Sequence, residues 1–199
     1  MNILCFGDSN TYGISPIDGK RLPACERWPG ILAELLGSDH LVIEAGQPNR
    51  TLVNNPPFSG DKLGVKYLEP YLEAQPLDVI IIQLGTNDLK ARFGLSAIDI
   101  GKALEQLILA TKAFYHGKAH PKIITLSPPK VHEVGNYKNI YKGAGKKAEQ
   151  LSIEFKAIAD RQECVFIDGF TLIDACESEG VHWPYKEHVR LAKQLLLLV

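Results

Sequence analysis

The segment that decides the fold is Ile3-Leu4-Cys5-Phe6-Gly7-Asp8-Ser9, in which an apolar run passes directly into a glycine turn. Four consecutive apolar residues predict a short strand that is buried on both faces. The Gly-Asp-Ser sequence ends the strand and places a serine hydroxyl just beyond its carboxyl end. The serine therefore lies where parallel α/β proteins usually bind their ligands.

Four further apolar runs of strand length follow, and each predicts another strand buried on both faces. The five predicted strands are residues 3–6, 41–45, 79–84, 123–126 and 165–167. Helical patterns separate them. This alternation predicts right-handed β-α-β units, and hence an α/β fold with a parallel sheet covered by helices on both faces.

The helices carry recognisable start and stop signals. Pro29 lies in the first turn of one helix, which Gly37 ends. Ser96 and Asp99 form a capping-box pattern for a long helix that runs to Phe114. Two more helices are predicted at 146–162 and 184–198. Since no linker or repeat interrupts the pattern, we expect one domain over residues 1–199.

Composition narrows the classes of partner and cofactor. The chain has 199 residues and a formal net charge of -1, so we expect no nucleic-acid partner. The longest apolar run is far shorter than the ~20 residues of a membrane helix, and we expect no membrane association. The histidines lack metal-ligand spacing, and we expect no metal and no cofactor. Four unpaired cysteines predict a reduced, cytoplasmic protein; they are Cys5, Cys25, Cys164 and Cys176.

Two loops are unusually long for a compact α/β domain, residues 46–60 and 127–145. Both leave from the carboxyl ends of predicted strands, where parallel sheets bind their ligands. We therefore expect these loops to form walls of a site. Their proline-rich surfaces are also candidate subunit interfaces of a homo-oligomer.

Four polar segments converge on that same edge: 7–10, 46–51, 85–88 and 179–182. Ser9 is the candidate nucleophile, but a serine needs a base to take its proton. His182 is the candidate base, and Glu179 is placed to accept the other ring N–H. The alternative is a structural role, in which Ser9 is a helix N-cap and Asp8 only holds the turn through backbone N–H groups.

Acyl transfer also needs donors for the negative oxygen that develops in the transition state. Asn87 offers its side-chain amide, and the backbone N–H groups of Ser9 and of a residue in the loop 46–51 offer two more. The alternative for Asn87 is an ordinary turn residue.

The chain resembles the SGNH (GDSL) hydrolases, specifically their bacterial arylesterase and acyltransferase branch. The resemblance rests on three blocks and extends over nearly the whole chain: Phe6-Gly7-Asp8-Ser9-Asn10-Thr11-Tyr12-Gly13, Gly85-Thr86-Asn87-Asp88 and Gly180-Val181-His182. It implies a flavodoxin-like three-layer α/β/α sandwich with a five-stranded parallel sheet in the order 2-1-3-4-5. It also implies metal-free ester hydrolysis.

By position, the resemblance makes Ser9 the nucleophile, His182 the base and Asn87 an oxyanion donor. The glycine of the family's second block falls at Asn49, whose backbone N–H would be the further donor. The family's triad aspartate is replaced by Glu179, so either the loop compensates for the extra methylene or the site works as a Ser-His dyad. Asp174 or a backbone carbonyl competes with Glu179 for the orienting role.

The expected activity is a serine carboxylesterase that acts on short-chain acyl or aryl esters, with acyl transfer as a second outcome. A carbohydrate O-deacetylase is the runner-up. A non-catalytic flavodoxin-like module that binds an anion or nucleotide is the alternative from another class. Candidate pocket residues are Asn10, Tyr12 and Trp183, and the other aromatics considered are Trp28, Phe58 and Phe93.

Overall fold

Five strands form the centre of the molecule in a computed structural model that describes residues 1–53 and 64–199. Each lies where an apolar run predicts it, with ends shifted by one residue at most. Their bounds are β1 Asn2–Gly7, β2 Leu41–Gly46, β3 Val79–Gln83, β4 Lys122–Leu126 and β5 Val165–Ile167.

The strands pair in the order β2-β1-β3-β4-β5, and every pair is parallel. This confirms the α/β fold and the strand order that the resemblance implies. Gly7, at the end of β1, pairs with Gly46 of β2 and with Gln83 of β3. Three strands therefore end side by side, and the polar segments that follow them start from one edge of the sheet.

Burial on both faces holds for the three inner strands but is wrong for the outer two. Residues of β1 and β3 are nearly all buried, whereas β2 and β5 are mostly half-exposed. The physical reason is position, because β2 and β5 lie at the edges of the sheet. Apolar composition alone does not distinguish an edge strand from a central one.

Seven α-helices surround the sheet in the described residues, several of them joined by 3₁₀ turns. Their bounds are α1 Ser9–Tyr12, α2 Trp28–Leu36, α3 Gly64–Ala74, α4 Ala97–Phe114, α5 Ala144–Arg161, α6 Gly169–Leu172 and α7 Tyr185–Leu196. The Ser96–Asp99 capping box at the start of α4 is confirmed. Helix α3 was not predicted, and Pro70 inside it hides the pattern. Among these helices, none is long and apolar enough to cross a membrane.

Alternate residues of each central strand face two separate apolar layers. Leu4 and Phe6 of β1 lie in the layer that includes residues of α3, α4 and α5. Ile3 and Cys5 lie in the other, which includes residues of α2 and α7. Because side chains alternate along a strand, helices cover both faces of the sheet.

The last residues of α1 pack directly on the end of β2. A Cβ at Gly46 would lie 2.2 Å from the backbone nitrogen of Tyr12, so only glycine permits this approach. The contact brings the segment after β2 beside the segment after β1. Of the predicted long loop 46–60, residues 54–60 lie outside the described residues.

Candidate active site

Ser9 and His182 come from opposite ends of the chain and meet at the carboxyl edge of the sheet. Ser9 is the first residue of α1, and His182 lies shortly before α7. The His182 Nε2 atom is 3.1 Å from the Ser9 Oγ atom. This distance lies within the reach of a general base that takes a hydroxyl proton. Both side chains are largely buried.

Glu179 lies on the other side of the His182 ring. Its Oε1 atom is 2.6 Å from Nδ1, and its Oε2 atom accepts the backbone N–H groups of Val181 at 2.9 Å and His182 at 2.7 Å. Burial raises the pKa of Glu179, but the hydrogen bonds and the charge of His182 outweigh it and hold the pKa below its ordinary value. An ionised Glu179 keeps the ring proton on Nδ1 and leaves Nε2 to accept from Ser9.

A tight loop directs the longer glutamate side chain back onto the histidine. The Cys176 N–H donates to the His182 carbonyl at 2.9 Å and closes this loop. Gly180 has a φ of 106°, and a Cβ there would lie 2.3 Å from the His132 carbonyl oxygen. The loop thus accommodates the extra methylene that separates glutamate from aspartate. Asp174, the competitor considered above, is exposed and pairs with Lys130 in a β-bridge.

Asp8 fixes the turn that presents Ser9. Its Oδ1 atom accepts the Asn10 backbone N–H at 2.9 Å, and its Oδ2 atom accepts a longer bond from Gln83 at 3.4 Å. Burial raises the pKa of Asp8 to about 6, while these bonds and the charge of His182 oppose the rise. Helix α1 contains only four residues, so its dipole contributes less at Ser9 than a long helix would.

The three residues that carry the predicted oxyanion donors line the same cleft: Ser9, Asn49 and Asn87. The backbone N–H groups of Ser9 and Asn49 donate to no protein acceptor within the described ranges. The side-chain nitrogen of Asn87 donates to the Arg50 carbonyl at 3.0 Å, and an amide nitrogen carries a second N–H. Asn49 has a φ of 64°, in the left-handed region. The three donors that the sequence predicts therefore lie on neighbouring segments.

Two buried side chains hold the segment that carries Asn49. Arg50 donates to the carbonyl oxygens of Gly7 and Ala45. Asp88 accepts the backbone N–H groups of residues 52 and 53 at 2.8 to 3.1 Å. Burial raises the pKa of Asp88 to about 7, although these hydrogen bonds lower it. The segment after β2 is thus tied both to β1 and to the segment after β3.

The catalytic candidates open into a small cleft of about 240 Å³. Ser9, Asn49, Asn87 and His182 all line it. The other lining residues are Ile14, Gly19, Pro48, Lys90, Tyr137, Tyr141 and Val181. A larger cleft of about 410 Å³ lies at the opposite ends of the strands, where its lining includes no serine. Size alone therefore does not identify the site, whereas the Ser-His contact does.

Two tyrosines of the loop 127–145 contact the site and were not singled out in the sequence. The Tyr137 ring packs edge-on against the His182 ring, with centroids 5.9 Å apart. The Tyr141 hydroxyl lies 3.5 Å from the Asn87 side-chain oxygen, to which it donates. The spacing of four residues between the two tyrosines was a signal in the sequence, because residues four apart lie on the same face of a helical turn. Such a turn is present, since the Tyr141 N–H donates to the Tyr137 carbonyl.

The three predicted pocket residues do not line the cleft. Asn10 is fully buried and reaches the Val181 carbonyl at 3.4 Å. Tyr12 packs under the Arg21 guanidinium, 4.3 Å from its ring centre. Trp183 is fully buried in the layer of α2 and α7, because its side chain points away from that of neighbouring His182.

Of the other aromatics considered, Trp28 also lies in the core and Phe93 is half-buried outside the cleft lining. Phe58 lies outside the described residues.

Known proteins match the chain over most of its length. A sequence model of the GDSL-like lipase/acylhydrolase family matches residues 5–188. An aryl esterase from M. smegmatis is 32% identical with a TM-score of 0.92, and the match covers 100% of this chain and 99% of that one. A carbohydrate acetylesterase from Sinorhizobium meliloti is 29% identical with a TM-score of 0.90, with the same coverage. No match to a curated protein sequence was found.

The raised pKa of Asp88 predicts a measurable effect of pH on stability. Its pKa rises from an ordinary 3.8 to about 7 on folding, so between these values the folded chain binds more protons than the unfolded chain. The stabilising contribution is complete below pH 3.8 and is lost as pH rises through about 7. We expect Asp88→Asn to lose less stability than wild type between pH 5 and pH 8, as measured by urea unfolding.

Asp18→Asn is the matched control for that experiment. It removes the same formal charge from an exposed carboxyl whose pKa is lowered by hydrogen bonds from Ser15 and Lys20. It should therefore leave the loss of stability from pH 5 to pH 8 close to that of wild type. An equal loss in Asp88→Asn and wild type would show that Asp88 does not titrate in this range.

Proposed function

Because the chain belongs to the GDSL-like lipase/acylhydrolase family and is a serine ester hydrolase, we propose that Ser9, His182 and Glu179 carry out its chemistry. One continuous chain of contacts carries this proposal, namely Ser9 Oγ to His182 Nε2 at 3.1 Å and Nδ1 to Glu179 at 2.6 Å. The order of groups is that of a nucleophile, its base and the group that orients the base. All of residues 1–199 act as one such domain in this proposal.

In the first half-reaction, Ser9 Oγ attacks the carbonyl carbon of the ester while its proton passes to His182 Nε2. The imidazolium that results lies against the carboxylate of Glu179, which stabilises its charge. Collapse of the tetrahedral intermediate breaks the bond to the alcohol oxygen, and His182 returns the proton to that oxygen. The product is an acyl-enzyme on Ser9 with the alcohol free to leave.

In the second half-reaction, water attacks the acyl carbonyl and His182 takes its proton. The backbone N–H groups of Ser9 and Asn49, with the Asn87 amide, hold the negative oxygen in both intermediates. Removal of one such donor typically costs ~2.7 to 4 kcal/mol of transition-state stabilisation. An alcohol or peroxide that competes with water at this stage would receive the acyl group, so acyl transfer is part of the proposal.

Short-chain acyl or aryl esters are the proposed substrates. The volume of about 240 Å³ supports a small acyl group, since typical ligand sites span ~300 to 1,000 Å³. Pro48, Ile14 and Val181 supply apolar lining near the polar catalytic groups. The 32% identity to an aryl esterase supports the aryl class.

A carbohydrate O-deacetylase is the second candidate function. Its support is the 29% identity to a carbohydrate acetylesterase and the hydrogen-bonding groups in the cleft. Tyr137 and Tyr141 line the cleft, and their hydroxyl groups suit the hydroxyls of a sugar. In both candidate functions the transferred acyl group is small and the chemistry at Ser9 is the same.

The proposal also includes a cytoplasmic location and assembly into a homo-oligomer. Four free thiols, one of them exposed, support a reducing cytoplasmic location. The exposed loop beside the cleft supports homo-oligomer formation, since the Ile17 side chain there is 93% exposed. Size-exclusion chromatography with light scattering would determine the number of subunits.

Hydrolysis of p-nitrophenyl acetate by purified variants tests the catalytic roles. We expect Ser9→Ala and His182→Ala to lower kcat/KM by about 10³-fold or more, because each removes the nucleophile or its activation. Glu179→Gln keeps the shape of the side chain but cannot favour the Nδ1 proton as a carboxylate does. A triad predicts a fall of about 10²-fold or more for it, whereas a dyad predicts little change.

Circular dichroism of each variant serves as the folding control. Unchanged rates in Ser9→Ala and His182→Ala would rule out the proposed roles. They would also reopen the non-catalytic binding module as an interpretation of the fold.

The length of the acyl group tests the proposed substrate class. Across p-nitrophenyl acetate, butyrate, hexanoate and octanoate, we expect kcat/KM to be highest for the shorter two and at least about tenfold lower for octanoate. The reason is that a cleft of about 240 Å³ cannot enclose a long acyl chain, which must then shift the ester carbonyl away from the catalytic groups. A rate that increases steadily to octanoate would contradict the short-chain proposal and indicate a lipase-like groove.

A further inference from the structure

The backbone of Asn49 needs an explanation, because it is held in a conformation that few residues adopt. Its φ of 64° is one of only two positive values among non-glycine residues in the part of the chain that the structure describes. Asparagine tolerates this left-handed region better than most residues, but glycine alone adopts it without steric cost. Asn49 is exposed and is the third residue of the β-turn 47–50, a position where asparagine commonly takes a positive φ.

A buried lysine anchors the Asn49 side chain. The Lys90 ammonium donates to the Asn49 side-chain oxygen at 2.8 Å, although Lys90 itself is only 7% exposed. Lys90 follows the 3₁₀ turn that begins at Asn87, and its backbone N–H donates to the Asn87 carbonyl at 3.4 Å. One residue therefore connects the segment that presents Asn87 with the segment that presents the Asn49 N–H.

The same two segments are joined at two other points, but neither reaches Asn49. The Asn87 amide bonds to the carbonyl of Arg50, and Asp88 accepts the N–H groups of residues 52 and 53. These bonds fix the chain after Asn49. A β-turn also holds Asn49, because the Arg50 N–H donates to the Gln47 carbonyl at 3.1 Å across Pro48 and Asn49. The Lys90 bond to the Asn49 side chain adds a second constraint on the same peptide.

We propose that Lys90 is a positioning residue for the oxyanion site. By holding the Asn49 side chain, it stabilises the left-handed Asn49 residue of the turn 47–50 and fixes the direction of the Asn49 N–H toward the ester oxygen. This inference rests on the proposed function, and it assigns to Lys90 a role in the transition state rather than in binding the ground state. An effect on kcat follows, because the oxyanion forms only as the reaction proceeds.

A double-mutant cycle tests this role with p-nitrophenyl acetate. Lys90→Met removes the anchor while keeping a long apolar stem, and we expect kcat to fall by about 10- to 100-fold with KM within about threefold. Asn49→Gly needs no anchor, since glycine takes a positive φ freely. In the Asn49→Gly background, Lys90→Met should therefore change kcat by less than about threefold.

Asn49→Ala provides the matched comparison with intact Lys90. Alanine keeps a Cβ at positive φ and lacks the anchored oxygen, so its kcat should fall as that of Lys90→Met does and should lie well below that of Asn49→Gly. This pair tests the proposal even if Lys90→Met fails to fold. Equal kcat values in Asn49→Ala and Asn49→Gly would overturn it.

Two other results would also contradict the positioning role. An equal fall of kcat for Lys90→Met in both backgrounds would show that the ammonium acts directly through its charge. A rise of KM alone would show that it binds substrate. Ser9→Ala separates failure of the proposed function from failure of this inference. If Ser9→Ala hydrolyses the ester as fast as wild type, the proposed function and the inference both fail. If Ser9→Ala is inactive, the Lys90 and Asn49 variants test the role of Lys90 alone.

Discussion

The parallel pairing of β1 with both β2 and β3 is the constraint on which the candidate site depends. Because Gly7 pairs with Gly46 and with Gln83, the three strands end at one level. The chain then has to turn at each end, and each turn exposes polar backbone and side chains at the same edge. Residues that lie far apart in sequence, such as Ser9 after β1 and Asn87 after β3, become neighbours for this reason.

Carboxylates near the site differ in their surroundings, and this difference separates their roles. Asp8 and Asp88 are fully buried, and burial raises the pKa of each, to about 6 and about 7. Glu179 is less buried, and its hydrogen bonds keep its pKa below the ordinary value. The first two accept backbone N–H groups and so hold turns, whereas Glu179 retains the charge that orients an imidazole.

Much of this architecture follows from the sequence, because the signals are local. The five strands are apolar runs, and the Ser96–Asp99 capping box is a contact within one helical turn. Ser9, Asn87 and His182 are predicted as site residues because each follows a strand or precedes a helix, and because the blocks that contain them resemble those of the SGNH hydrolases. Their mutual distances were not in the sequence, but the parallel topology makes their proximity a consequence of the fold.

What the sequence did not reveal depends on contacts between segments. Trp183 adjoins His182, but its direction depends on how α7 packs against α2, and it belongs to the core. In the sequence, nothing distinguishes Lys90 from a surface lysine, because its bond to Asn49 forms between residues 41 positions apart. Helix α3 was missed because Pro70 interrupts its pattern, while tertiary packing against α4 accommodates it.

The most direct test of the central claim is to trap the acyl-enzyme. Protein that is turning over p-nitrophenyl acetate is quenched with acid, digested and analysed by peptide mass spectrometry. The acyl-enzyme mechanism predicts one acetyl group on the peptide that contains Ser9. It predicts no acetyl group on that peptide in His182→Ala quenched at the same early time. An acetyl group on another residue, or turnover without any acetylated peptide, would contradict it.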